Sequence, residues 1–448
     1  MKKTNKRKSG SMLAFAMVIV LVLAIVGAGI IKLGLNARLQ SIKDVQQISA
    51  RSAADAGIEH AIRYMINQWN SATNKGAWLA SWEDSTDWTD PAVPATDIGY
   101  QLPSVISLGS DTYGNAKFQY TIYKSTRLKG YQIVSEGTAG GLTRTVHAAA
   151  VLKSAYYGVG AKEDIYLAPN VSLTTIPADE KIIVQTNGTS DDVISIKPGV
   201  TVPGDVVCGP GGDTTEAIKN QGTIEGKMAA AEDEIDFPPI YVPDKFASMS
   251  YAAIGSGITL DANDPTIAHI TTDVKLDGFT FDSGVFSGVT TVVVQGDVDI
   301  FVDGDTYFIP SSNIVVADNS IMDLYLGGNL WAQPGSSIVY GGEVATEAGI
   351  VEAATNISIK GTIASDGTVL CNEIHFQPDG DFYGTIYAPD ASIELWPNGD
   401  FYGAVVGGYD LQIKPGGSYV FIPALLDTQD VEILYMGIKY GSWWEEAN

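Results

Sequence analysis

Cysteine is nearly absent from this 448-residue chain: Cys208 and Cys371 are the only two, and they lie far apart. Zinc sites built on close-spaced ligand pairs are thereby excluded. In an oxidising compartment the two thiols either pair or stay as two free buried thiols. Histidine is as sparse. His60, His147, His269 and His375 stand singly, outside any HExxH or nucleophile motif. Basic residues are few, 27 against 52 acids, for a net charge of −25. That balance speaks against nucleic acid, which needs a basic surface, and against docking on anionic lipid. It fits a solvated exterior face and is compatible with divalent cations. Proline is missing from Met1 to Trp69, and no Lys or Arg occurs between Lys275 and Lys360. The second gap deprives a polysaccharide-lyase site in that region of its base. No Gly-rich phosphate loop precedes a helix.

What is present begins with a basic head, Lys2, Lys3, Lys6, Arg7 and Lys8. An uncharged apolar run follows from Ser11 to Ile31 and stops at Lys32. As a helix it reaches about 31 Å, at roughly 1.5 Å per residue, enough to cross a hydrocarbon core. The head predicts a cytoplasmic N-terminus and an exported C-terminal region. The run is longer than the apolar core of a cleaved secretory signal, and no polar cleavage region follows it. Leu35, Leu39, Ile42, Val45 and Ile48 recur at spacings of three and four, so one helix is expected to continue to about Trp69. Ala53, Ala54, Ala56, Gly57 and Ala61 give it a small-residue face.

Two stretches carry a family resemblance. Lys8-Ser9-Gly10-Ser11-Met12-Leu13-Ala14-Phe15 resembles a type IV prepilin leader, which implies a peptidase cut between Gly10 and Ser11. Ser52-Ala53-Ala54-Asp55-Ala56-Gly57-Ile58-Glu59 resembles the Ala-Glu-Ala-Gly-Leu signature of PilX-like minor pilins, with Asp55 in the place of Glu. Phe15 stands where major pilins carry a glutamate tied to filament packing. The resemblance therefore implies a minor or tip subunit, or a pilin-like anchor outside a filament. The Gly137–Val146 hairpin continues the likeness to about Lys153.

Beyond the helix, Lys117–Lys124, Gly130–Ser135 and Arg144–Val151 alternate in period two and predict three strands of a small head. Trp78, Trp82 and Trp88 read as a packed loop over it, with a sugar site as the alternative. From about Ala155 to Asp427, short β runs are broken by Gly, Pro, Asn and Asp. Ile374–Gly384 aligns with Ile393–Gly403 at an offset of 19, and Leu411–Tyr419 follows at 18. A repeat of about 18–20 residues with short strands is the mark of a β-solenoid. Inward aliphatics and φ > 0 corners at Gly and Asn are expected. Lys227 to Ser250 breaks the pattern with a helix-friendly Met-Ala-Ala-Ala-Glu run and then Phe237-Pro-Pro-Ile-Tyr-Val-Pro243. It reads as an excursion from the coil with a polyproline-like clamp. Val200–Gly212, this excursion and Phe382–Pro389 together resemble an uncharacterised extracellular domain found behind PilX-like N-termini.

The expected organisation is a leader at 1–10, a membrane and pilin helix at 11–69, and a β head at 70–153. A right-handed parallel β-helix, or β-solenoid, follows at 154–427, then a tail at 428–448. The head is expected to cap one end of the solenoid and the tail, with Trp443 and Trp444, the other. The fold class is mainly β with one long N-terminal helix. Asp297, Asp299, Asp303 and Asp305 read either as solvent-facing strand acids and a turn, or as oxygen ligands for a hard cation such as calcium. Otherwise no cofactor is expected.

The functional expectation is a non-enzymatic pilin-like surface protein. It is anchored in a membrane, processed by a prepilin peptidase and assembled with other pilin or pseudopilin subunits. It presents an acidic solenoid to a surface glycan or another cell. The alternative is a tethered carbohydrate-active enzyme or glycan-binding protein, motivated by Tyr383, Tyr387, Trp396 and Tyr402 read as exposed aromatics.

Overall fold

The structure, a computed structural model, describes residues 10–71, 100–101, 106–111, 114–125, 130–154, 158–232, 234–235, 237–423, 425, 434–438 and 444–445. The basic head before Gly10, the Trp78, Trp82 and Trp88 segment, Trp443 and the side chains of Ser11 and Trp444 lie outside these residues. The chain is mainly β, with one long N-terminal apolar helix and many parallel strands. It forms two compact units: Met1–Val151 with Met436–Asn448, and Leu152–Tyr435.

In the first unit one helix runs unbroken from Gly10 to Ser71, as a proline-free sequence with helical spacing requires. Among the described residues it is the one helix long and apolar enough to cross a membrane. It joins a seven-stranded sheet. Gly114–Ser125, Gly130–Ala139 and Leu142–Ser154 form its antiparallel centre, with Thr121 opposite Val134 and Val134 opposite His147. These are the three expected strands, each longer than the alternation alone marked. Leu434–Ile438 and Trp444–Glu445 both pair with Leu142–Ser154 in the head sheet.

The second unit is a stack of short strands, nearly all parallel. Its nine-stranded sheet runs Ile218–Asn220, Ile194–Ile196, Asp164–Leu167, Asp410–Ile413, Ser392–Leu395, Glu373–Phe376, Leu330–Ala332, Thr306–Phe308, Phe279–Thr280. This is not chain order. The chain enters at Gly158–Ala161 and steps outward to Met228–Ala230. The described residues between 231 and 250 carry it to the opposite end. From there it winds back until Asp410–Ile413 and Ser418–Phe421 pair in parallel with Asp164–Leu167 and Ser172–Thr175. A first arm (158–230) and a second arm (253–421) thus meet at a seam with no chain connection across it. The first and last strands of this unit, Gly158–Ala161 and Ser418–Phe421, thus lie inside the ladder rather than at its ends.

A fifteen-stranded sheet runs alongside in the same order. A third, six-stranded sheet belongs to the second arm alone, from Ala253–Ile254 to Ser337–Tyr340. Where that extra strand is present the repeat is longer: Ile300 pairs with Leu324, whereas Thr385 pairs with Ala404. The 18–20-residue period therefore holds only where each repeat has two strands. Inward residues stack in register. Leu330, Ile374, Ile393, Leu411, Ile165, Ile194 and Ile218 form one buried column across seven strands and both arms. Corners take φ > 0 at Gly199 and Gly335, and also at Asn170 and Ser311.

The excursion begins later than expected. Met228–Ala230, read from sequence as helix-friendly, is a strand paired in parallel with Gly204–Cys208, because the ladder's edge overrides local propensity. The chain leaves the ladder only after Ala231, whose N–H still donates to the Cys208 carbonyl at 2.8 Å.

Candidate functional site

The helix meets the head sheet through its small-residue face. Ala50, Ala53, Ala54, Ile58, Ala61 and Met65 are fully buried there. The contact is too close for larger side chains. A Cβ on Gly57 would sit 2.1 Å from Ser135 Oγ, and one on Gly137 would sit 2.0 Å from the Ala50 carbonyl oxygen. His60 Nδ1 lies 3.2 Å from the Tyr120 hydroxyl beside it. Of the signature residues, Ala54 and Gly57 are buried in this contact, and Asp55 and Ala56 are half-buried. Gly10 begins the helix, and Phe15 is 68% exposed with its apolar neighbours.

The four central acids have these neighbours. Asp299 forms an ion pair with Lys245, which also lies 2.7 Å from Asp273. Asp303 accepts from the Tyr251 hydroxyl at 2.6 Å and lies 3.4 Å from Lys275 Nζ. Asp305 accepts the Asn329 N–H at 2.9 Å, and Asp297 stands exposed. Among the described residues no group of three or more His, Cys, Asp or Glu is arranged to hold a metal. The lysines missing from the local sequence arrive through space: Lys245 from the excursion and Lys275 from the neighbouring strand. Burial works to raise the Asp273 carboxyl, but the Lys245 ammonium and the Asp299 N–H hold it below the ordinary value.

At the seam Asp164 and Asp410 face each other in register. With Asp192, Ser195, Gln412, Tyr166 and Lys414 they line a shallow depression of about 260 Å³. Burial, then the charges of Asp410 and Glu163, push the Asp164 carboxyl up. Lys414 and Lys197 are turned onto the ring of Tyr166, at 5.4 and 5.1 Å from its centroid.

The aromatics named from sequence are mostly covered. Tyr387 is fully buried, Tyr383 is 9% exposed and Tyr402 is half-buried; Trp396 alone is open, at 42%. Tyr383 stacks on Tyr402 at 4.6 Å, and its hydroxyl is pushed up to about 12 by burial and then Asp381. A second ladder, not read from the sequence, lies on the outer face of the nine-stranded sheet. There Tyr307 stacks on Trp331 at 4.6 Å and Trp331 on His375 at 6.4 Å. His375 Nε2 lies 2.7 Å from Glu373, and Nδ1 lies 3.3 Å from Glu394. The rings sit one per strand at intervals of 24 and 44 residues, an irregularity caused by the inserted helix Glu347–Asn356, so no fixed offset marks them.

The repeated Asp-Gly-Asp and Asn-Gly-Asp turns serve the backbone. Asp381 accepts the Asp400 N–H at 2.9 Å, Asp400 accepts the Ser418 N–H at 2.7 Å, and Asn398 donates to Asp379 at 2.7 Å. Cys208 and Cys371 are separate free thiols, both buried, so the disulfide alternative is not formed. Each points at a backbone carbonyl of its own neighbourhood, Ala229 and Glu373 respectively. Burial pushes the Cys371 thiol up to about 12.

Residues 254–427 match the model of a domain of unknown function, DUF7305, a stretch short of half the chain. It coincides with the second arm and stops where that arm reaches the seam. No curated protein matches the chain. Among solved structures, the crystal structure of the competence-associated pilin ComZ from Thermus thermophilus is aligned over 90% of this chain and 97% of its own. The identity is 13% and the TM-score 0.24, a likeness too slight to define a common fold.

Proposed function

We propose that this chain is a non-enzymatic, pilin-like surface protein that presents an acidic right-handed β-solenoid outside the cell for assembly or adhesion. It acts as a minor or tip pilin, or as a membrane-anchored display protein. One observation carries the reading: the division of labour along the helix. Residues 15–31 are apolar and almost all exposed, whereas residues 50–65 lock onto the head sheet through alanines and glycines. A helix that is apolar all round needs a lipid or protein environment along the part its own chain leaves uncovered. The leader-like sequence before it and the signature at Ala54–Gly57 supply the pilin-like context.

In this reading a prepilin peptidase cuts between Gly10 and Ser11. The membrane and other pilin or pseudopilin subunits then receive the apolar half of the helix. The parallel ladders are coils of the solenoid. No catalysis and no cofactor are assigned to it. Display is supported over glycan stacking because the rings of Trp331 and Tyr166 are each already flanked by two neighbouring rings or lysines. N-terminal mass spectrometry of the native protein tests the reading. A mature chain beginning at Ser11, lost on Gly10→Val, is expected. An intact Met1, or a cut beyond residue 31, overturns it.

A further inference from the structure

The link between the two arms does more than connect them. Ile235 and residues 237–251 run along one side of the fifteen-stranded sheet and meet its strands one after another. Ile235 exchanges two hydrogen bonds with the Asn187 side chain, at 2.8 and 2.9 Å, just beyond the Ile182–Thr186 strand of the first arm. Phe237 lies against Gly160, in the strand where the chain enters. Across the seam, the Tyr387 hydroxyl donates to the Pro238 carbonyl at 2.9 Å in a buried bond. Ile240 and Tyr241 pair with Thr362 and Ile363. Phe246 is fully buried against the rings of Tyr325 and Phe301, and Lys245 reaches Asp299 and Asp273. Tyr251 ends the run against Lys275 and Asp303.

We propose that residues 235–251 are a clasp that holds the two arms together across the seam, so that the seam and the far end of the clasp open as one unit. The seam needs such a device. Nothing covalent crosses it, and it places two carboxylates, Asp164 and Asp410, directly opposite each other, which disfavours the pairing. The clasp has anchors on both sides: Asn187 and Gly160 on the first arm, and Tyr387, Thr362, Tyr325, Phe301 and the Asp273–Asp299 pair on the second. A link serving only as a tether would not need a buried phenylalanine, a lysine shared by two acids and a buried tyrosine bond along its length.

The test is hydrogen exchange, followed by mass spectrometry, on the full-length chain and two variants. Lys245→Met removes the ion pairs of the distal anchor. Tyr387→Phe deletes one hydroxyl, keeps the ring and so preserves the fold. Both are expected to speed exchange of the seam amides, residues 164–167 and 410–413, by about tenfold, because exchange reports the local opening equilibrium. Lys245 is remote from the seam along the ladder, so a merely local role predicts faster exchange only around residues 273–276 and 299–302. Seam amides that exchange at the wild-type rate in both variants overturn the clasp.

Discussion

Asp164 and Asp410, the first residues of their strands, stand directly opposite each other where the last turn of the second arm seats on the first turn of the first arm. Like charges in register disfavour strand pairing. Burial and the Asp410 charge together push the Asp164 carboxyl above its ordinary value. A raised carboxyl favours the folded state at low pH and loses that contribution as pH rises through the raised value. Asp164→Asn is therefore expected to stabilise the protein at neutral pH, by at most about 1 kcal/mol. The gain should vanish below the ordinary carboxylate range. Urea unfolding at about pH 2.5 and pH 7.5 checks both halves.

The Lys245–Asp273 contact has the opposite pH sense on its acid side. The Asp273 carboxyl is held down and Lys245 is held up, in each case against burial and by the partner. The contribution of Asp273 is present above its ordinary pKa and is lost as pH falls through the lowered value. That of Lys245 is lost only as pH rises through the raised value. Asp273→Asn should cost less than about 1 kcal/mol at neutral pH, since the pair is partly solvent-screened. Variant and wild type should converge in strong acid, as thermal melts across pH will show.

Gly137→Ala should loosen the helix from the head sheet. The new methyl meets the Ala50 carbonyl and the Ala54 N–H, both backbone and both on the helix. Overpacking of this kind costs about 1–3 kcal/mol. Melting followed by circular dichroism measures it, and a wild-type midpoint contradicts it.

Asp400 tests whether the acidic turns serve the backbone. Asp400→Ala leaves the Ser418 N–H without its acceptor and should cost about 1 kcal/mol or more. Asp400→Asn retains an acceptor oxygen and should stay near wild type. Equal losses for both would point to the charge instead.

The two thiols should be silent in the native protein and reactive once it unfolds. Cys208 and Cys371 are buried and free, and burial pushes Cys371 up to about 12, where almost no thiolate exists at neutral pH. A chromogenic thiol reagent should label neither in buffer and both in denaturant without added reductant.

Much of the fold was legible because its signals are local. The proline-free apolar helix, the three head strands and the Pro–Gly and Asn–Gly–Asp turns each sit within a short window. The longer repeats of the second arm were not legible, because the extra strand at Thr291–Val294, Asn313–Val316 and Ser337–Tyr340 stretches the offset. Met228–Ala230 was misread because its alanines favour helix in isolation, while the free ladder edge of Gly204–Cys208 favours a strand. The central acids were recognised as a group, but their partners were not: Lys245 lies in a segment whose path no periodicity records.

The sequence by itself determined the long apolar helix, the small-residue face at Ala53–Ala61, the β character and the acidic surface, because each depends on residues near one another in the chain. Only the tertiary structure decided that the chain enters its ladder midway, that two arms meet at Asp164 and Asp410, and that residues 235–251 bind them together. Parallel pairing is specified by the backbone and by matching inward aliphatics, which are much alike in every repeat. Which repeat neighbours which is therefore settled by long-range closure rather than by any local motif.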